Sequence, residues 1–403
     1  MIKEKLWSKD FISITVISFF IFLSFYVLIA VLPLYLVGTL HAGNDKVGLV
    51  VTLFLLAAII IRPFAGQWVN KGSQKKILIY SAIAFFIGML LYPFATNIVA
   101  LLSLRVFHGL AFGIITTVKG TICAEIIPTS RRGEGLSYFS LAMCLAMVFG
   151  PYIGLDLANK NAYNTAFIVC MVISAANIVF ALLIKIPEEA ATTKRSIEKS
   201  KISWDDLFDK NAMPFAFAIF ILACAYSGVS AFLALYSKGL GLPEVAGNFF
   251  LVYAVFIMIS RPFTGRWSDK WGSKVIIYPC LAIFAVGMFL LSQAQTSAVI
   301  LLAGAVIGIG YGSVTPVFQT QIINSVEPHR VGIANSLFFN SMDMGMAIGA
   351  YVLGIVAGKS GYGSIYLVGC ILVIITAIEF FTMTKDKKVF ETQFNTSIMY
   401  DEE

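Results

Sequence analysis

Long stretches of uncharged apolar residues alternate with short polar segments along the whole chain. A helix needs about 20 such residues to cross the hydrocarbon core of a bilayer. Because lipid offers no water to backbone polar groups, a segment that crosses it must satisfy them internally, as a helix does. The pattern predicts twelve membrane-spanning helices, over residues 11–38, 47–69, 77–96, 98–124, 136–157, 163–184, 212–237, 245–267, 275–293, 297–325, 332–357 and 362–384.

A sequence repeat divides these segments into two sets of six. Arg62–Trp68 returns as Arg261–Trp267, 199 residues later, with five of seven residues identical. Self-similarity at a fixed offset indicates a duplicated architecture. We therefore expect an all-α polytopic protein with two pseudo-symmetric six-helix halves, residues 1–185 and 212–384.

Two polar segments lie outside the halves. Residues 186–211 form a charged linker, in which Ser203 can cap a short helix along the inner membrane surface. Residues 385–403 form a polar tail. We expect both segments in the cytoplasm.

The composition agrees with a membrane protein and argues against a nucleic-acid partner. Only 13% of residues are charged and 59% are hydrophobic, whereas soluble domains carry about 25% charged residues. Of 29 Lys and Arg, 23 fall on one side when they are sorted by loop, Arg62 and Arg261 among them. Because basic residues gather on the cytoplasmic side, we expect a multi-pass protein of the cytoplasmic membrane with both termini inside.

Motifs typical of enzymes and ATP-driven pumps are missing from the sequence. It contains no His-Glu-x-x-His, Gly-x-Ser-x-Gly or Gly-x-x-x-x-Gly-Lys-Ser/Thr. The six cysteines lie inside predicted helices without a Cys-x-x-Cys pair, which favours packing over disulfides or metal binding. We expect no enzyme activity, no cofactor and no metal, in a monomer surrounded by the lipid bilayer.

The halves share glycines but differ at charged positions. At the 199-residue offset, Arg105, Glu125 and Asp343 correspond to Gly304, Asn324 and Cys144. Charges inside a membrane are costly and mark functional sites. These three residues are therefore the first candidates for function.

A loop motif in both halves points to a family. The second copy carries it in full, as Gly265, Asp269, Lys270, Gly272 and Lys274. In the first copy Gly66 and Lys71 fit, but Asn70 takes the place of the acid. Two six-helix halves with this loop resemble the major facilitator superfamily. The resemblance covers nearly the whole chain and implies that the loops lock the cytoplasmic face through charge pairs. A simple tight turn is the alternative.

The end of the fourth predicted helix resembles a further motif of this superfamily, acid-x-x-Pro-x-x-Arg-Arg-Gly, through Glu125, Arg131 and Arg132. Near the inner surface, Glu125 would stabilise the closed gate as a partner for loop lysines. A proton-carrying role is the alternative.

The same helix carries Arg105 and His108, three residues apart on one face. Arg105 lies about 10 Å inside the outer end, at 1.5 Å per residue. The segment resembles the Arg-x-x-Gln-Gly signature of proton-linked members, with His108 in the Gln position. The resemblance implies that Arg105 tunes a nearby acid during proton exchange. Packing against backbone carbonyls is the alternative, and for His108 a hydrogen-bonded packing role is equally open.

The fifth predicted helix contains Gly150, Pro151 and Gly154. These residues partly match the Gly-x-x-x-Gly-Pro-x-x-Gly signature of exporters in the superfamily, with Ala146 replacing the first glycine. The match favours export over import.

Other polar and aromatic residues are candidates for coupling and for the substrate cavity. Asp343 lies near the middle of the eleventh predicted helix, on one face with Asn340, and suits reversible protonation. A role in packing is the alternative. Lys119 would either attract an anionic substrate or neutralise Glu125. By analogy with the superfamily, Phe22, Tyr26 and Tyr226 are candidates to line the substrate cavity, with packing or contact with lipid as the alternative. Lys119 and Asn340 are further candidates for this cavity.

The resemblance predicts a secondary active transporter similar to the twelve-span drug/proton antiporters. It would export a small organic or amphipathic compound by alternating access, with the proton gradient as its energy source. Export of a sugar, metabolite or metallophore, and proton-linked uptake, remain the alternatives.

Overall fold

The computed structural model describes residues 6–40, 47–186, 209–242 and 244–385. Within these ranges the regular elements are helices and no strand occurs. The predicted linker helix that Ser203 would cap, and the tail beyond residue 385, lie outside the described residues.

The first six long helices occupy the first half of the sequence: α1 Lys9–Gly38, α2 Val47–Lys71, α3 Gln74–Leu91, α4 Ile98–Ile126, α5 Arg132–Asn159 and α6 Tyr163–Leu183. The other six are α7 Met213–Gly239, α8 Val245–Trp271, α9 Lys274–Ser292, α10 Ser297–Asn324, α11 Val331–Ser360 and α12 Tyr362–Lys385. In the described ranges, twelve helices are long and apolar enough to cross a membrane. Each overlaps a predicted segment, which confirms the all-α polytopic class.

Side chains just outside the helices fix where several of them begin. The side chain of Asn97 accepts a hydrogen bond from the N–H of Ala100 at the start of α4, at 2.8 Å. At the equivalent place before α10, the Thr296 hydroxyl accepts from Val299. Asn97 and Thr296 are 199 residues apart, so the caps follow the repeat. Such caps satisfy N–H groups that have no partner within the helix.

The packing of the helices repeats as well. α4 contacts α1, α2 and α3, and α6 contacts α1 and α3. The second set shows the same pattern, because α10 contacts α7, α8 and α9, and α12 contacts α7 and α9. The packing among these five helices is therefore repeated in the second set.

The contacts divide the chain into two compact units that differ from the predicted halves in two short segments. Unit 1 contains residues 1–129, 139–207 and 329–336, and unit 2 contains 130–138, 208–328 and 337–403. The first turns of α5 and α11 are thus grouped with helices of the opposite repeat. The candidate gate lies at these two segments.

Candidate functional site

In unit 2, the Asp269 carboxylate caps the start of α5. Its Oδ1 accepts a hydrogen bond from the backbone N–H of Gly133, and its Oδ2 accepts one from Glu134, both at 2.8 Å. These are the second and third residues of α5, whose N–H groups have no partner inside the helix. The carboxylate also faces the positive end of the helix dipole. We call this contact the carboxylate cap.

Glu134 connects the carboxylate cap to two arginines. Its side chain is 5% exposed and forms ion pairs with Arg131 at 2.7 Å and with Arg266 at 2.6 Å. Because the Arg266 side chain is 55% exposed, its pair contributes about 0–1 kcal/mol. Sequence reasoning missed Glu134, since the motif around Arg131 and Arg132 was followed only as far as Gly133.

Close glycine contact makes room for the carboxylate cap. A Cβ added to Gly265 would lie 2.7 Å from the carbonyl oxygen of Gly133 and 2.6 Å from the Ser137 hydroxyl. Real Cβ atoms do not come this close, so α8 approaches α5 through glycine at this point.

Unit 1 contains the equivalent contact at the start of α11. The Asn70 side-chain oxygen accepts a hydrogen bond from the N–H of Gly332 at 2.9 Å. A Cβ on Gly66 would lie 2.8 Å from the Gly332 carbonyl oxygen. Asn70 and Gly332 stand 199 residues from Asp269 and Gly133 in the respective repeats. We call this contact the amide cap.

The two caps differ in strength. A hydrogen bond to a charged group contributes about 1.5–3 kcal/mol, whereas a neutral one contributes about 1 kcal/mol. Asp269 accepts two N–H groups as a carboxylate, and the Asn70 amide accepts the Gly332 N–H without a charge. We therefore expect the carboxylate cap to hold its helix more tightly.

The remaining gating candidates are Arg132, Glu125, Lys71 and Lys270. Arg132 donates from Nη1 to the Asn324 side-chain oxygen at 2.6 Å, within unit 2. Glu125 is exposed and accepts a hydrogen bond from the Gln74 amide at 2.8 Å. Lys71 and Lys270 are exposed, and the Lys270 ammonium lies 5.3 Å from the centre of the Trp271 ring. The gating role of this set remains a prediction.

Arg105 is fully buried between α4 and α2. Its Nε donates to the carbonyl oxygen of Val50 at 2.8 Å, and its Nη1 donates to the Tyr92 hydroxyl at 3.1 Å. The guanidinium lies 4.0 Å from the centre of the Phe54 ring. Its Nη2 has no hydrogen-bond partner among the described residues. The permanently charged Arg105 therefore keeps the donors of Nη2 available beside an aromatic ring.

His108 shares the Tyr92 hydroxyl with Arg105. The Tyr92 oxygen lies 2.9 Å from His108 Nδ1. Because Tyr92 accepts from Arg105, its hydrogen can point to Nδ1, which leaves the proton of a neutral His108 on Nε2. That Nε2 is buried without a partner in the described part of the chain. A second proton on His108 would require Tyr92 to turn its hydroxyl away.

Asp343 and Asn340 lie on α11, and both are half-buried. The side-chain oxygen of Asn340 is shielded from solvent without a hydrogen-bond partner among the described residues. The coupling role of Asp343 remains a prediction.

Two arginines that the charge count placed with the loops lie inside helices. Arg62 on α2 is 1% exposed and Arg261 on α8 is 2% exposed. Arg261 donates from Nε to the carbonyl oxygen of Gly312 at 2.9 Å. The count grouped them with loop residues although both lie within the predicted segments 47–69 and 245–267. Both helices continue through the proline that follows each arginine.

The cavity candidates separate by unit. In unit 1, Lys119 is fully buried, and its Nζ lies 4.5 Å from the centre of the Phe22 ring. Tyr26 packs beside Phe22 on α1, at 6.5 Å between centroids. In unit 2, Tyr226 stacks on Tyr311 at 4.1 Å between ring centroids. Their roles in substrate binding remain predictions.

The export motif of α5 packs against α1. Gly154 would place a Cβ 2.8 Å from the carbonyl oxygen of Val27, and Gly150 lies directly against Tyr26. Pro151 lies inside the helix. In unit 2, Gly349 of α11 packs against Cys224 of α7 in the same manner. The glycines therefore have a packing role in both repeats, and only α5 adds the proline.

Comparison with known proteins identifies the family. The sequence profile of the Major Facilitator Superfamily matches residues 14–350 and 243–396. The chain belongs to the major facilitator superfamily of transporters.

Named relatives in this superfamily include exporters. The chain is 26% identical to the staphylopine export protein of Staphylococcus aureus, over 84% of this chain and 87% of the relative. It is 24% identical to the multidrug resistance protein MdtG of Yersinia enterocolitica, over 88% of each. The crystal structure of the human organic anion transporter MFSD10 has a TM-score of 0.78 with 14% identity, covering 92% of this chain and 98% of that one. At that identity the likeness is one of fold.

Proposed function

We propose that this superfamily member is a secondary active exporter. It moves a small organic or amphipathic compound, such as a drug, out across the cytoplasmic membrane in exchange for protons, by alternating access. Both termini lie in the cytoplasm, as the distribution of Lys and Arg favours. The proton gradient supplies the energy, and the protein carries out no enzymatic reaction.

The pair of helix caps carries the alternating-access proposal. In each cap, the end of a helix from one repeat binds the first turn of a helix from the other repeat. A gate must hold firmly and still release, which a few hydrogen bonds achieve more readily than a large apolar core. The caps occupy equivalent positions in the two repeats, as a gate with internal pseudo-symmetry would.

Proton coupling is supported by Arg105 and Asp343. Arg105 keeps a permanent positive charge and has an Nη2 group without a partner among the described residues. During the transport cycle this group would bind water or a carboxylate. Asp343 is the half-buried acid that we assign to proton uptake and release.

The direction of transport and the type of compound are supported by relatives. One relative, MdtG, is named a multidrug resistance protein, and another is named the staphylopine export protein. The proline and glycines of α5 also match the export signature. The staphylopine export protein favours a metallophore, metabolite or sugar as the alternative cargo. Proton-linked uptake is a further alternative.

A transport assay in inside-out membrane vesicles tests the proposal. A pH gradient, acid inside, is imposed, and a panel of dyes, antibiotics and metabolites is offered from outside. We expect uphill accumulation of at least one compound, abolished by a protonophore. Accumulation only in right-side-out vesicles with an acid exterior would establish proton-linked uptake, and failure of every compound to move would contradict a transporter.

A further inference from the structure

Among the described residues of unit 1, three cationic side chains are buried. Arg62, Arg105 and Lys119 are 1%, 0% and 0% exposed. Among the described residues, the buried carboxylates are Glu134 and Asp209, and both belong to unit 2. The described interior of unit 1 is therefore positively charged.

The three cations surround one cluster of aromatic rings. Arg105 lies over Phe54, Lys119 lies over Phe22, and the Arg62 guanidinium is 6.0 Å from the centre of the Phe112 ring. Phe112 contacts both other rings, with centroids 5.0 Å from Phe54 and 5.8 Å from Phe22.

Lys119 stands out within this set because its surroundings supply no counter-charge. Its Nζ donates to the Ser18 hydroxyl at 2.7 Å and lies 4.5 and 4.8 Å from the centres of the Phe22 and Phe139 rings. In the described chain, no carboxylate forms an ion pair with this ammonium. Glu125, which sequence reasoning offered as a partner, accepts from Gln74 at the exposed end of α4.

The scaffold itself does not need a lysine at this position. The residue 199 positions later is Phe318, which is fully buried in α10. The same place in the other repeat is thus filled by an apolar ring. Burying an ammonium that an apolar side chain could replace is costly, so a functional reason for Lys119 is needed.

We propose that Lys119 binds the anionic group of the transported compound, a carboxylate or a phosphonate. Phe22 and Phe139 contact the apolar part beside that group, and the nearby Arg62 adds to the positive potential. An ammonium has three donors, of which Ser18 takes one. The remaining donors suit two oxygens of one acid group. The inference rests on the proposed function in one respect, because it takes the bound anion to be the transported compound.

Binding to purified protein in detergent tests the anion site without any gradient. The probes are aromatic carboxylates and phosphonates, their neutral amides, and amines with the same ring system, measured by isothermal titration. We expect the acids to bind at least about tenfold more tightly than the amides. In Lys119→Met that preference is lost, and in Lys119→Arg it is kept.

Arg261→Gln is the matched control, because Arg261 is the buried repeat partner of Arg62 but lies in unit 2. It should leave the preference for acids unchanged. The proposal is overturned if amides or amines bind as tightly as acids, if no acid binds, or if Lys119→Met keeps the preference. It is also overturned if phosphatidylglycerol, added to the micelles, is the only anion whose binding depends on Lys119.

Transport separates this proposal from the proposed function. Counterflow of the bound acid in vesicles of zwitterionic lipid, without a pH gradient, should depend on Lys119. If counterflow occurs but a pH gradient drives no accumulation, proton coupling fails and the anion site stands. If a pH gradient drives only neutral or cationic compounds, export stands and the anion site fails.

Discussion

The Asp269 carboxylate accepts a hydrogen bond from the backbone N–H of Gly133, which lies 136 residues earlier in the chain. The contact joins the end of α8 to the first turn of α5. In its repeat counterpart, the neutral Asn70 side chain accepts the equivalent hydrogen bond from the N–H of Gly332. The two caps thus occupy equivalent positions in the repeats but differ in chemistry.

Removing the charge of Asp269 should weaken the carboxylate cap. We predict that Asp269→Asn costs about 1–3 kcal/mol of closed-state stability, because a charged acceptor of two N–H groups becomes a neutral one. Ser137 is fully buried beside Gly265, so a Ser137→Cys reporter in an otherwise cysteine-free chain measures opening. Its labelling by a water-soluble maleimide should become faster, and transport should slow.

Asp156→Asn is the control for this experiment, since Asp156 forms an exposed pair with Lys160, with side chains 52% and 67% exposed. The labelling rate of the Ser137→Cys reporter should not change in Asp156→Asn. Equal labelling rates in Asp269→Asn and the unmodified reporter would leave the loop as a turn without a gating role. Asn70→Asp, which adds a carboxylate at the amide cap, should slow labelling.

The glycine contact gives a steric test of the same gate. We predict that Gly265→Ala destabilises the carboxylate cap by about 1–3 kcal/mol, because its Cβ would lie 2.7 Å from the Gly133 oxygen. Gly247→Ala on the same helix meets nothing within 4 Å and should be neutral or stabilising. Transport and thermal unfolding of both variants check this, and equal behaviour would contradict close packing at Gly265.

Much of the fold was predictable because each membrane helix corresponds to a long apolar segment of the sequence. Gly66 and Gly265 of the predicted loop motif lie against Gly332 and Gly133, respectively, at the two caps. The sequence departure at Asn70 proved to be the point where the two caps differ.

The partners of Asp269 could not be predicted from residue types. The acid binds backbone N–H groups, which every residue except proline carries, so no motif identifies them. Glu134 directly follows the Arg-Arg-Gly motif, so a search extended by one residue would have included this acid. Arg62 and Arg261 lie within predicted helices, but nothing in the sequence indicated that both side chains would be buried there.

Arg105 should require its geometry as well as its charge. It donates from Nε to Val50 and from Nη1 to Tyr92, and a lysine cannot reproduce this fork. We predict that Arg105→Lys loses proton-driven transport nearly as fully as Arg105→Ala. Tyr92→Phe, which keeps the ring, should lower stability by about 1–3 kcal/mol. If Arg105→Ala lowers thermal stability but keeps pH-dependent transport, the residue serves packing alone.

The exchange of protons for substrate is the central claim, and proton movement tests it most directly. Inside-out vesicles with a trapped pH dye receive a compound that the protein transports. The account predicts that the compound causes protons to leave the vesicle as it enters. In Asp343→Asn this movement should be lost, although the protein folds and binds the compound. Substrate transport without proton movement, or unchanged proton movement in Asp343→Asn, would contradict the account.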